Sequence, residues 1–266
     1  MRPLFIRLAA VLGALALATP ALPAPPLVEY LFQEAGDSPA STGALDIPLV
    51  IVQRGFAAGE LPSAAGKGVR GGSDRCLDQS LVEAGSRAWA ALAEPDETLD
   101  SLLSFTLMGW FKKVGAPPGC DHHFFWMGDK YRFALTGWDD AGMHLAFGGK
   151  NAYSGPKAYA GEEWVFFAAT YDGTAEKENV AFYKGTLADA ARQVRKVSFA
   201  EGPQGGGLEG GSVRLHIGGI DAPGRCFPGL LDEIRVFGSS KDASGALDLD
   251  AILLWQDSGK PSRPRK

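Results

Sequence analysis

The sequence predicts an all-β fold, a sandwich or closed barrel with short helices in its loops, and three observations carry that prediction. Thirty-five glycines and 17 prolines are spread over 266 residues without a repeat period, so turns are frequent and elements short. Aromatic and β-branched stretches follow one another along the chain, each bounded by Gly, Pro, Asn or Asp. At 45% hydrophobic and 21% charged residues, the chain has enough apolar matter to fill a core between two sheets.

Taken in order, residues 1–24 are an address rather than part of the fold. Two positive charges in "MRPLFIR" precede the apolar "LAAVLGALALA", and the small-residue, Pro-rich "TPALPAPP" closes the segment. That is the pattern of a secretory signal peptide, with Thr19 and Ala21 meeting the small-residue rule, and the apolar run is short for a membrane span. The expected location is therefore secreted or periplasmic. Strand patterns then fall at 27–32, 47–52, 103–113, 123–128, 131–137 and 143–149, and again at 163–173, 179–185, 195–200, 212–219 and 230–237. Segments 80–94 and 96–104 read as short helices, the second capped by Asp96, and 245–256 as a third. No domain-separating linker interrupts 25–256, which reads as one sandwich domain; the polar, basic tail 257–266 reads as disordered.

Composition also removes function classes. A net charge of −5 supplies no basic field for nucleic acid, and no segment after the signal approaches a membrane span. The adjacent His122 and His123 of "CDHHF" point to opposite faces of a strand, with no second Cys or His group at ligand spacing, so a metal site there is not expected. Of Cys76, Cys120 and Cys226, an oxidising compartment pairs two and leaves one over.

The closing stretch "FPGLLDEIRVFG" places Asp232 and Glu233 side by side. Strict alternation puts Asp232 on a face with Leu230, Ile234 and Val236, and Glu233 with Arg235, an ion pair expected at the surface. A carboxylate on an aliphatic face needs backbone donors, a cation or a proton, so Asp232 is either a loop-pinning acceptor or a calcium ligand.

The order "LVEYLFQEAGD", "SFTLMGWFKK", "EEWVFFAATYDG", "LHIGG" and "FPGLLDEIRVFG" resembles the laminin G-like domains of the concanavalin A-like lectin/glucanase superfamily, of the bacterial secreted type. The resemblance spans most of 27–256 and implies an all-β, two-sheet antiparallel jelly-roll sandwich, in agreement with the strand count. It also implies a structural calcium, with Asp232 at the closing-strand position holding the first-strand turn. "PASTGALDI" departs from the family there, with Ala40 and Ser41 where an acidic ligand is usual. In the family's strand arrangement, Cys120 and Cys226 are the expected disulfide, leaving Cys76 over.

Catalysis is not expected. Glucanases set two carboxylates on one strand face, and the nearest candidate, "EPDET", carries Glu94 and Asp96 around Pro95, which suits a turn into a helix cap. Nucleophile-elbow, zincin and phosphate-loop signatures do not occur. Recognition is the remaining class, with a glycan or an extracellular protein as partner. Aromatic residues in polar, Gly-bounded loops nominate Trp138 with Asp139, Tyr153 and Tyr159 as ligand contacts, since ring faces stack on the C–H surface of a pyranose.

Overall fold

The computed structural model describes residues 24–33, 38–54, 67–80, 87–114, 121–128, 130–136, 142–155, 161–199, 213–220, 222 and 225–258. The strands of the first half are β1 (Val28–Tyr30), β2 (Leu49–Arg54), β3 (Leu77–Asp78), β4 (Arg87–Leu92), β5 (Ser104–Lys113), β6 (His122–Met127) and β7 (Tyr131–Leu135). Those of the second half are β8 (Met143–Phe147), β9 (Lys150–Tyr153), β10 (Trp164–Asp172), β11 (Val180–Thr186), β12 (Arg192–Val197), β13 (His216–Ile217) and β14 (Gly229–Ser239). Two α-helices accompany them, α1 (Glu97–Asp100) and α2 (Leu249–Ser258).

These strands form two antiparallel sheets, the sandwich that the strand patterns predict. The first runs β1-β14-β5-β10-β11-β12, with β3 also pairing β14; the second runs β2-β4-β13-β6-β7-β8-β9. Alternation in "SFTLMGWF" explains how the core forms: Phe105, Leu107 and Phe111 face inward, while Met108 and Trp110 face outward. Across the sandwich, Phe124 stacks on Phe167 with ring centroids 4.4 Å apart, and Phe133 packs on the same ring at 5.5 Å.

The outer face of the first sheet is buried as well. Met108, Trp110, Phe166, Ala168, Tyr183 and Phe237 form a second core beneath Val69, Leu247 and Ile252. Helix α2 is fastened there by Gln256, whose Oε1 accepts from Ala191 N at 2.6 Å and whose Nε2 donates to Thr186 O and Asp189 O.

Four sequence expectations are corrected. Residues 87–92, within a segment read as helical, form β4: Ala90 and Ala91 are good helix formers, but each is hydrogen-bonded between β2 and β13, and burial in the sheet overrides propensity. Tyr153, expected in a loop, ends strand β9, paired with His144. The segment 96–104 holds a single helical turn, although its cap is as expected, with Asp96 Oδ1 accepting from Thr98 N at 2.8 Å and Leu99 N at 3.4 Å. That cap occupies the carboxylate of the one acid pair weighed for glycosidase chemistry. Residues 1–23 of the segment read as a signal peptide and tail residues 259–266 lie outside the described residues, while Asp257 and Ser258, read as part of the disordered tail, end helix α2.

Candidate functional site

Two places in the fold gather polar chemistry, and they are built differently. The first is the closing-strand pair. Between Asp232, opposite Trp110, and Arg235, opposite Met108, β14 has two residues where β5 has only Gly109. This is a β-bulge, with Glu233 in the left-handed region at φ 48°. Gly109 is required opposite it, because a Cβ there would lie 2.6 Å from Ile234 Cδ1.

The extra residue shifts the alternation. Leu231, Ile234 and Val236 enter the inner core, while Asp232 and Arg235 share the outer side with Trp110 and Met108. Asp232 therefore does not share the aliphatic face of Ile234 and Val236 as strict alternation expects, and Glu233 and Arg235, expected at the surface, are each only 1% exposed. They do pair, Arg235 Nη2 to Glu233 Oε2 at 3.1 Å, inside a buried network. Glu29 Oε1 accepts from Arg235 Nε at 2.6 Å, Glu233 Oε1 accepts from Arg70, and Trp255 covers the Arg235 guanidinium at 4.9 Å.

Asp232 is buried as expected and pins a loop, but a different one from the first-strand turn. Its Oδ2 accepts from Val69 N at 2.8 Å and its Oδ1 from Glu233 N at 2.7 Å. The first-strand turn is held instead by Ser41 Oγ, which accepts from Glu29 N and Gly43 N. Burial pushes the Asp232 carboxyl well above its usual range, only partly offset by these two backbone donors, and the neighbouring Glu233 and Asp74 charges push it further. Calcium does not fit here: both Asp232 oxygens face N–H donors, and the Glu233 oxygens face two guanidiniums that an arriving cation would have to displace. Among the described residues no three His, Cys, Asp or Glu side chains are grouped as metal ligands. The cluster is a structural clasp.

The second place is the outer face of the second sheet. Cross-strand register sets His123, Ala134, His144 and Tyr153 in one row, and His216, Trp126, Arg132, Ala146 and Asn151 in the next. Alternation sends their neighbours Phe125, Phe133, Leu145 and Ala152 into the core. The two alanines, buried at 0% and 4%, form a shallow floor between larger side chains.

Each aromatic at the rim is backed by a histidine ring. Tyr153, 48% exposed, lies on His144 with centroids 4.5 Å apart and planes 12° from parallel. Trp126, half-buried, lies 4.9 Å from His216. His144 is itself fixed at both nitrogens, Nδ1 against Asp121 Oδ2 at 3.1 Å and Nε2 against Asn151 Oδ1 at 2.8 Å. Burial works against the Asp121 charge, but the hydrogen bond to His144 and the nearby His144, His123 and Arg225 charges outweigh it and hold this carboxyl below its usual range. His123 lies at the centre with 1% exposure; burial chiefly, with the Arg225 guanidinium next, pushes it down to about 3. A surface of this kind can stack on a flat apolar ring and hydrogen-bond the groups around it.

Of the residues the sequence nominates, the structure places Tyr153 in this face. Trp138, Asp139 and Tyr159 lie outside the described residues, as does Cys120. The chain on either side of them is described: Thr136 N donates to Gly142 O at 2.9 Å, and a Cβ on Gly142 would lie 2.7 Å from Gly155 O. The described Gly142 and Gly155 therefore meet at the Tyr153 end of the sheet. No disulfide joins described residues; Cys76 is buried, and Cys226 Sγ lies 3.7 Å from Ile220 O. Trp126, Arg132, His123, His144 and His216 were not singled out as ligand contacts. "HFFWMG" and "YRFALTG" do carry a signal, since Trp126 and Arg132 alternate with Phe125, Met127, Tyr131 and Phe133.

No family model matches the chain, and no curated protein matches it in sequence. Solved structures resemble it in fold. The Trypanosoma rangeli sialidase in complex with the inhibitor DANA aligns over 86% of this chain and 33% of its own, at 11% identity and a TM-score of 0.51. Domain 4 of AbnA, a GH43 extracellular arabinanase from Geobacillus stearothermophilus in complex with arabinotriose, aligns over 88% of this chain and 98% of its own, at 16% identity and TM-score 0.49. The Ruminococcus gnavus IT-sialidase CBM40 bound to α2,3 sialyllactose aligns over 62% and 91%, at 13% identity and TM-score 0.41. At such identities the likeness is one of fold.

Proposed function

We propose that this chain is a laminin G-like β-sandwich module that works outside the cytoplasm, binding a glycan on the outer face of its second sheet without turning it over. The observation that carries the reading is the pair of rim aromatics, Tyr153 stacked on His144 and Trp126 packed at a tilt against His216, beside Arg132 and Asn151. A pyranose offers an apolar C–H face ringed by hydroxyls, and this surface offers aromatic planes ringed by polar side chains. Rings already fixed from behind lose little freedom on binding.

A binding role rather than hydrolysis is supported by the carboxylates. Glycoside hydrolysis uses two, on either side of the scissile bond, whereas Asp121 is the one acid among the described residues of this face, and it is tied to His144. Trp138, Asp139 and Tyr159 are further proposed ligand contacts, nominated by the sequence pattern of aromatics in polar, Gly-bounded loops. The export signal at 1–24 and the resemblance of the strand motifs support an extracytoplasmic setting.

The test is a glycan and polysaccharide panel on the mature protein, read by calorimetry, with Trp126→Ala and Tyr153→Ala alongside. Binding in the micromolar to millimolar range, weakened about tenfold by either substitution, is expected of a shallow site with one or two stacked rings. Release of reducing sugar from any member of the panel would replace the binding reading with an enzymatic one.

A further inference from the structure

The same face holds two cations that nothing among the described residues answers. Arg132 follows Trp126 in the cross-strand row, and Arg225 sits just before the bridge that joins Cys226 to His123. Both are half-buried. Among the described residues neither guanidinium has an ion-pair or side-chain hydrogen-bond partner. Both act on His123, whose Nδ1 is buried and unpartnered.

The contrast with the buried Arg235 is direct. Its guanidinium is met by carboxylate oxygens of Glu29 and Glu233, because a buried guanidinium with no acceptor loses hydration without compensation. On an acidic chain of net charge −5, acceptors were available to neutralise Arg132 and Arg225 as well. Asp121, the nearest carboxylate, is committed to His144 and reaches Arg225 only through space. Two unanswered guanidiniums, an unpartnered buried imidazole nitrogen and a stacking indole therefore converge on one patch.

We infer that the glycan bound by this face is anionic, its charged oxygens received between Arg132 and Arg225 while its ring rests on Trp126. The inference rests on the glycan-binding reading above and adds the ligand's chemical class. A guanidinium presents parallel N–H donors matched to a planar carboxylate or to sulfate oxygens, and hydrogen bonds to such a group are charge-assisted. Neutral sugars would leave both arginines as they are, gaining only the stacking term.

The experiment compares four ligands on the mature protein by calorimetry: an oligogalacturonate, the same oligomer methyl-esterified, a sulfated dextran and plain dextran. A neutral-glycan panel is run with them. The expected result is binding of the free uronate, at least about tenfold stronger than its ester, with a similar loss for Arg132→Gln and for Arg225→Gln. Sulfated dextran binding that is lost in the same two variants, without uronate binding, identifies sulfate as the charged group and supports the same site. The ester comparison needs no variant, so it stands even where a substitution impairs folding. Binding that ignores charge and both arginine substitutions, yet falls in Trp126→Ala, overturns the anionic assignment and leaves a neutral-glycan site. Failure to bind any of the ligands or the panel overturns both readings.

Discussion

The two sheets of this sandwich present outer faces of opposite character. On the first, loop 67–76 and helix α2 cover a second apolar core, and the charges beneath them are closed: Arg235 lies between Glu29 and Glu233, and Arg70 answers Glu233 from the loop side. On the second, an alanine floor carries histidine-backed aromatics, and the guanidiniums of Arg132 and Arg225 stay unanswered among the described residues. The same residue types thus serve stability where their partners are internal and, in the proposed reading, are left for recognition where they are not. A saturated network is the signature of a clasp; the proposed site is unsaturated among the described residues.

Substitutions can break that contrast or sharpen it. The largest effect on folding is expected from Arg235→Ala, which strands Glu29 and Glu233 in a covered place and should cost about 3–5 kcal/mol in denaturant unfolding. A loss below about 1 kcal/mol would show that the network is not closed in solution. Next, Asp232→Ala removes the acceptor of Val69 N and Glu233 N and should cost about 1–3 kcal/mol.

A third prediction concerns pH. The His123 imidazole is held at about 3 in the fold. In the unfolded chain it titrates near the ordinary histidine value of about 6.5. A depressed folded value means that the stability it supports is present above about 6.5 and is lost as pH falls toward about 3, because the unfolded state binds the proton first. The slope approaches 1.4 kcal/mol per pH unit in that window and should vanish in His123→Gln, measured as the pH dependence of unfolding free energy. Smallest of all on folding, Trp126→Ala should move the melting temperature by less than about 2 °C, because the ring is half-buried at the rim and outside the core. Its effect should appear in binding alone.

The sandwich was legible because alternation and turn residues are local properties: "SFTLMGWF" and "WVFFAATYDG" state their faces in their own composition. The closing strand misleads because a bulge is a property of two strands. Nothing in "LLDEIRV" announces an extra residue, although Gly109 in the middle of β5 is the partner's half of that signal. Strand β4 was hidden for a related reason, since its alanines choose a sheet only when β2 and β13 flank them. The binding face was half legible. Trp126 and Arg132 alternate visibly with core phenylalanines, but placing His123, His144 and Tyr153 in one row requires the register of four successive strands.

The position of β14 has a consequence for how the chain is assembled in time. This last strand lies between β1 and β5 and also pairs β3, so β1 and β3 have no place in the first sheet until the chain is nearly complete. Val69 and Asp232, the two ends of the loop clasp, are separated by 163 positions. The β6–β9 meander, by contrast, pairs each strand with its sequence neighbour and can form early. A nascent chain halted before residue 229 would therefore hold the recognition strands β6–β9 beside an open, apolar first sheet, and late closure by β14 makes folding of the whole an end-dependent, nearly all-or-none event.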